Sequence, residues 1–257
     1  MAPWILEHLP PHNTYVEPFG GGASVLLQKP RSRIEVYNDL DFAVVQLFRV
    51  LRHPETAQML IRALQYTPFA RVEFDDAFIS HPDPVENARR LIIRSHMGFG
   101  SSGLTSNGKT GFRSKGRTNT HTSVEWHRLP PQVSIIAERL RGVVIENQHA
   151  QQVMSRHDDA DTVHYVDPPY LHETRKRVGK GRGYNHEMDH EAHAELLTFL
   201  KSLQGAILLS GYKNDLYDQT LTGWQRFDRD AYATGALPRV ESLWLNPSAQ
   251  RKDLLSL

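Results

Sequence analysis

The sequence predicts an α/β fold: a mostly parallel sheet interrupted by a largely helical insertion. Two observations predict it. Short runs rich in β-branched and aromatic residues recur with helix-like stretches between them, and this alternation stops between Asp41 and Gly142 before resuming. The chain has 257 residues, 39% of them hydrophobic, enough for one large domain or a domain carrying a subdomain.

The first run is "NTYVEPFGGGASVLLQK" (13–29), a strand entering glycines and then an apolar, helix-like segment. The second, "SRIEVYNDLD" (32–41), ends on Asn38 and Asp39. After the interruption come "GVVIEN" (142–147), "TVHYVDPPY" (162–170), "GAILLSGY" (205–212) and "SLWLN" (242–246). Residues 190–203 carry apolar side chains at helical spacing and lead into the 205–212 strand. Within the insertion, 42–65 and 84–97 have helical character, while 98–123 is rich in Gly, Ser, Thr and Asn. That stretch is too long for a simple connection. The chain is therefore expected to divide into a core, 1–41 with 142–257, and an inserted region, 42–141. No internal repeat is present.

Composition excludes several classes. The chain has no cysteine, which removes disulfides, thiolate-bound zinc and a thiol nucleophile, and fits a reducing compartment. The opening "MAPWILEHLPPHN" lacks the basic and long apolar parts of a signal peptide. No apolar run reaches the ~18 residues that span a bilayer. These features predict a cytoplasmic protein. A net charge of +1 gives no overall attraction to nucleic acid, so any such attraction must come from local clusters.

Two stretches carry chemistry. "EPFGGGA" follows a strand, and glycines there let the backbone approach a ligand without a Cβ in the way. Asp39 closes the next strand, where a carboxylate can accept hydrogen bonds from ribose hydroxyls. The spacing is neither GxGxxG nor GxxxxGK[ST], so neither a dinucleotide nor a triphosphate is the natural ligand. A tight turn beside a surface acid accounts for this stretch equally well.

The second stretch is sharper. Asp167 ends a strand, and Pro168 and Pro169 stiffen the turn after it because their rings fix φ and they lack N–H donors. Their carbonyls remain acceptors, and Tyr170 adds a flat ring. A carboxylate, a carbonyl and an aromatic face suit a planar ring bearing an exocyclic amino group. A strand terminator followed by a packed tyrosine would call for no particular acid ahead of the prolines.

Together, "YVEPFGGGASV" (15–25), "VYNDLD" (36–41) and "YVDPPY" (165–170) resemble the Dam-type (D12 class) DNA adenine-N6 methyltransferases, which use S-adenosylmethionine. The resemblance implies a Rossmann-like methyltransferase sheet with a target-recognition region at 42–141. It implies that Glu17, Pro18, Phe19, Gly20 and Gly22 line the cofactor pocket, with Asp167 at its edge, and that Asp39 holds the ribose. Asp167 and the Pro168 carbonyl are expected to accept from the N6 amino group, within a turn stiffened by Pro169, and Tyr170 to stack on the base. Duplex DNA is the implied partner, with a restriction endonuclease as system partner where the enzyme is not solitary. A monomer or weak dimer is expected, without metal.

Basic residues flank this site: Arg175, Lys176, Arg177, Lys180 and Arg182 after it, and Lys109, Arg113, Lys115 and Arg117 in the insertion. Solvated loops are the default for such runs, but two of them on a near-neutral protein suit phosphate contacts. "HEMDH" (186–190) matches HExxH, yet that motif needs one continuous helix, and Asp189 has the character of an N-cap; His193 follows it. The family's usual N-terminal Gly-Gly-Lys segment has no counterpart before "APWILEHL", which leaves the methionine end of the cofactor without an assigned contact. Near Gln148 or His149, relatives often carry an acid. A cytosine-N4 enzyme and a silent cofactor- or DNA-binding relative are the rivals. Ser in place of Asp167 would favour the former, and Asn there a protein amide methyltransferase.

Overall fold

The computed structural model describes residues 1–98, 111–113, 122–171, 188–232 and 238–250. In chain order the elements are α1 (Ala2–Glu7), β1 (Thr14–Glu17), β2 (Ile34–Asn38), α2 (Phe42–Leu51), α3 (Pro54–Tyr66), α4 (Arg71–Asp76), α5 (Pro84–Met97), α6 (Thr122–His127) and α7 (Leu129–Leu140). Next come β3 (Val143–Glu146), α8 (Ala150–His157), β4 (Thr162–Val166), α9 (His190–Leu200), β5 (Ala206–Tyr212), α10 (Asp215–Thr220), β6 (Gln225–Tyr232) and β7 (Pro238–Leu245).

The seven strands form one sheet in the order β3-β2-β1-β4-β5-β7-β6. The first five run parallel, and β7 pairs antiparallel with both β5 and β6. β1 and β4 are direct neighbours, with Thr14 opposite Thr162 and Val16 opposite His164. Their C-terminal ends, and that of β2, therefore open on one edge, where the strand order reverses.

Burial follows from this topology. All five residues of β4 and the first six of β5 are buried, because a parallel interior strand is covered on both faces. The outer strand β3 is only partly covered. Val16, Val36, Val166, Ile207 and Leu209 of the sheet pack with Met154 of α8 and with Leu196, Leu197 and Leu200 of α9. Each such side chain contributes about 1.5–3 kcal/mol when taken from water. Asp189 caps α9 by accepting from the Ala192 amide at 2.9 Å, so His190 is the first residue of the helix.

The structure corrects one expectation and refines two. The segment after the glycines is not a helix but a chain of turns from Gly21 to Ser24 and beyond, with Ala23 at φ 53°. Lys29 ends it by turning inward to Glu35. The helical character of 42–65 holds and is divided between two helices, because Pro54 forces His53 into an extended conformation (φ −104°, ψ 127°). The strand at 242–246 is longer than expected and pairs with β6, a strand the apolar pattern did not reveal.

The described residues divide into two compact units. One holds the sheet with α1, α8, α9 and α10, and the other holds α2 to α7. In the helical unit Leu60, Leu64, Phe74, Leu91, Ile93 and Met97 are fully buried. Arg89 donates to Glu73, Glu86 and Thr67, and the Trp126 indole donates to the Thr67 carbonyl. Among the described residues no helix is long and apolar enough to cross a membrane.

Candidate functional site

The site grows from the loop ends of β1, β2, β3 and β4. Asn38, completely buried at the end of β2, joins three of these loops. Its Nδ2 donates to the carbonyls of Pro18 (2.8 Å) and Gln148 (3.0 Å), and its Oδ1 accepts from the Gln148 amide (2.9 Å). A leucine of similar size would leave all these backbone groups unsatisfied. Asp39 accepts from the Gly21 amide at 2.7 Å, while its carbonyl accepts from Asn147 at 2.6 Å. Tyr37 closes the loop from beneath, its hydroxyl donating to the Gly21 carbonyl at 2.7 Å.

The glycines have distinct reasons. A Cβ on Gly20 would lie 2.0 Å from the Tyr37 ring, so this position is small to admit a tyrosine rather than a ligand. Gly21 has φ +47°, and a Cβ there would meet nothing within 4 Å. Gly22 is exposed, Pro18 is buried, and Phe19 packs against the sheet core. Open backbone at Gly21 beside the Asp39 carboxylate fits a nucleoside whose hydroxyls donate to an acid.

Glu17 points inward. It is 2% exposed, and its Oε2 accepts from the Tyr15 hydroxyl (2.8 Å) and the Leu26 amide (3.0 Å). Burial, with the Asp167 charge adding to it, pushes its carboxyl up to about 8 against those two hydrogen bonds. Burial thus favours the protonated form of Glu17. It supports the glycine loop from within, and its side chain does not line an open surface.

Asp167 stands one residue beyond β4. Its Oδ1 accepts from Ser210 on β5 at 2.7 Å, and Tyr170 also donates to it. Burial pushes its pKa up, and these two bonds partly oppose that. A carboxylate has about four lone-pair positions, so two bonds leave capacity for a further donor. Pro168 is buried, and the Pro169 carbonyl accepts from His193 at 3.0 Å. The Tyr170 ring meets Tyr212 edge-on, 4.6 Å between centroids.

Near the third strand end, Glu146 accepts from Arg156 (2.9 Å) and from the Gln148 side chain (3.1 Å), and His149 precedes α8 as its N-cap. Of the basic residues singled out in the sequence, Arg113 is described, and its guanidinium faces Glu125 at 3.4 Å. Lys109, Lys115, Arg117, Arg175, Lys176, Arg177, Lys180 and Arg182 lie outside the described residues, as do the first two residues of "HEMDH". Among the described residues no cluster of three or more His, Asp or Glu could hold a metal ion.

Sequence reasoning missed Ser210, Asn38's triple role, Tyr37 and His193. Only Asn38, at a strand end ahead of an acid, carried a local signal.

Five parallel strands continued by an antiparallel β7 inside β6, with a glycine loop and an Asp-Pro-Pro-Tyr turn on adjacent strand ends, define an α/β methyltransferase. More narrowly, the chain belongs to the D12 class N6 adenine-specific DNA methyltransferase family, whose model matches residues 1–232. A search of curated proteins returns no match.

Proposed function

We propose that this protein transfers a methyl group from S-adenosylmethionine to N6 of an adenine flipped out of duplex DNA. The observation that carries the proposal is the Asp167 carboxylate, held by Ser210 and Tyr170 beside the β1 glycine loop.

Bound S-adenosylmethionine supplies an electrophilic methyl group on a sulfonium. The loop residues Pro18 to Gly22 hold the cofactor, with the Asp39 carboxylate accepting from its ribose. On the substrate side, Asp167 and the Pro168 carbonyl accept the two amino hydrogens, and Tyr170 stacks on the ring. An adenine amino group is a poor nucleophile because its lone pair is delocalised into the ring. Acceptors that draw both hydrogens out of the ring plane return that pair to nitrogen. With the methyl carbon bonding to N6 and sulfur left as a neutral thioether, Asp167 would stabilise the positive charge on nitrogen and accept the departing proton. Alignment of the two reactants supplies much of the remaining acceleration. N6 is paired inside the duplex, so the base must leave the stack.

Residues 42–141 serve as the target-recognition region, and the basic residues at 109–117 and 175–182 contact phosphates. Replacing Arg175, Lys176 and Arg177 together flattens the salt dependence of DNA binding, by roughly 0.9 in log–log slope for each phosphate no longer neutralised.

The test is incubation with labelled S-adenosylmethionine and unmethylated duplex DNA, followed by nucleoside mass spectrometry. N6-methyladenine, lost in a folded Asp167→Ala variant, is the expected result. N4-methylcytosine would replace the substrate, and no label from a folded protein would overturn the proposal.

A further inference from the structure

His193 is a polar residue on an otherwise apolar helix face. On α9, His193, Leu196, Leu197 and Leu200 recur at helical spacing, and all four are buried, His193 to 0% exposure. An imidazole at such a depth costs free energy unless both nitrogens are bonded. Both are. Nε2 lies 3.0 Å from the Pro169 carbonyl oxygen, and Nδ1 lies 2.9 Å from the Tyr217 hydroxyl.

The chemistry assigns the hydrogens. A carbonyl oxygen only accepts, so Nε2 carries a proton, and in the neutral ring Nδ1 then presents its lone pair. The Tyr217 hydroxyl then donates to Nδ1. Burial holds that hydroxyl protonated, well above the ordinary tyrosine range. Tyr217 is itself buried, its ring 5.0 Å from the Trp244 ring of β7. A rigid line thus runs from the sheet through Tyr217 and His193 to Pro169.

Its end point is specific. At Pro169 the pyrrolidine ring fixes φ, leaving ψ as the one soft backbone angle. A hydrogen bond to the Pro169 carbonyl removes that freedom. It sets the plane of the Pro169–Tyr170 peptide and thereby the direction in which the Tyr170 side chain departs.

We infer that His193 is a positioning residue for the target base: through the Pro169 carbonyl it fixes the angle of the Tyr170 ring on which the base stacks. This rests on the methyl-transfer function proposed above. His193 is fully buried and acts through the Pro169 carbonyl.

The experiment uses the full chain and three variants, His193→Phe, His193→Gln and Tyr217→Phe. The substrate is the duplex methylated by the wild type, with 2-aminopurine replacing the target adenine for the fluorescence arm. His193→Phe is expected to lower kcat on the order of 100-fold with cofactor affinity unchanged, the scale of a small misplacement of reacting groups. Its 2-aminopurine fluorescence should rise, because the flipped base stacks less well. His193→Gln keeps a donor toward Pro169 and should restore most of the rate, and Tyr217→Phe, which preserves the packing, should fall between the two. Wild-type turnover in folded His193→Phe overturns the inference. So does equal damage by Phe and Gln with parallel loss of cofactor binding, which would mark a merely structural role. If the wild type itself methylates no adenine, the functional proposal fails, and nitrogen-15 NMR of the imidazole decides the histidine separately. A neutral ring protonated at Nε2, with Nδ1 shifted in Tyr217→Phe, supports the positioning line, and a proton on Nδ1 overturns it.

Discussion

Ser210 of β5 donates a 2.7 Å hydrogen bond to Oδ1 of Asp167, which stands just past the neighbouring strand β4. Burial raises the Asp167 pKa, and this bond pulls it back down. Removing the hydroxyl therefore raises the pKa further, and less of the accepting carboxylate exists at a given pH. Ser210→Ala should move the acid limb of the kcat/KM profile to higher pH. On the acid side it should lower kcat/KM by roughly ten- to a hundredfold, the equivalent of about 1.5–3 kcal/mol for a bond to a charged group. An unmoved acid limb would dissociate Asp167 from the rate.

Glu17 predicts a pH-dependent stability. Its folded pKa is raised from 4.5 to about 8, so the folded state holds its proton longer than the unfolded chain does. The associated stability is fully present below 4.5 and is lost as pH rises through about 8. Glu17→Gln stays neutral throughout and keeps both donors satisfied. Urea denaturation of the two proteins should give midpoints that diverge with rising pH, the variant becoming the more stable. Parallel curves would mean that Glu17 titrates normally.

Gly20→Ala tests the tyrosine beneath the loop. The added methyl would overlap the Tyr37 ring, which is fully buried and tied to Gly21. Such overpacking costs about 1–3 kcal/mol. Thermal unfolding should report it, and calorimetry should show weaker S-adenosylmethionine binding because the Gly21 backbone shifts with the ring. Relief of both defects by Tyr37→Leu in the same chain would identify the clash as their cause.

Lys29 and Glu35 form an ion pair at 2.7 Å with side chains only 2% and 3% exposed. Lys29 also donates to Ser32 and to the Pro30 carbonyl, which locks the turns beyond the glycines. Lys29→Met removes the closer cation from a buried carboxylate whose other partners include the Ser32 amide at 3.1 Å and Arg31 at 4.0 Å, and should cost about 3 kcal/mol. The double variant Lys29→Met, Glu35→Leu should recover much of that loss in a denaturation cycle. Additive losses would show that the pair has no mutual dependence.

The features legible in the sequence were local ones. Strands ending on Asn38–Asp39 and on Asp167, and the cap at Asp189, are written in neighbouring residues. The break at His53 has an equally local cause that sequence reasoning passed over, since Pro54 disfavours a helical residue before it. The glycine segment misled because its apolar spacing suits a helix, while the inward turn of Lys29 depends on Glu35 in the next strand. β6, "QRFDRDAY", alternates charge with little apolar content, so nothing in it announces a strand until β7 lies beside it. Ser210 and His193 were invisible for a related reason. Each meets its partner across the fold, and no spacing rule links a serine in "GAILLSGY" to an acid in "TVHYVDPPY".

The pairing of β1 with β4 has a consequence for biosynthesis. Thr14 leaves the ribosome early, but its partner Thr162 is made only after helices α2 to α7 have been translated. Until then one side of β1 has no neighbour, and the loop ends of β1 and β4 cannot meet. Pairings so distant in sequence are slow to close, because loop entropy must be overcome before they form. The helices of the second unit, whose partners are near in sequence, can settle first while the nascent chain is still growing. The proposed methyl-transfer site is thus among the last features of this protein to come into existence, and a chain stalled before Thr162 holds the helices without that strand pairing.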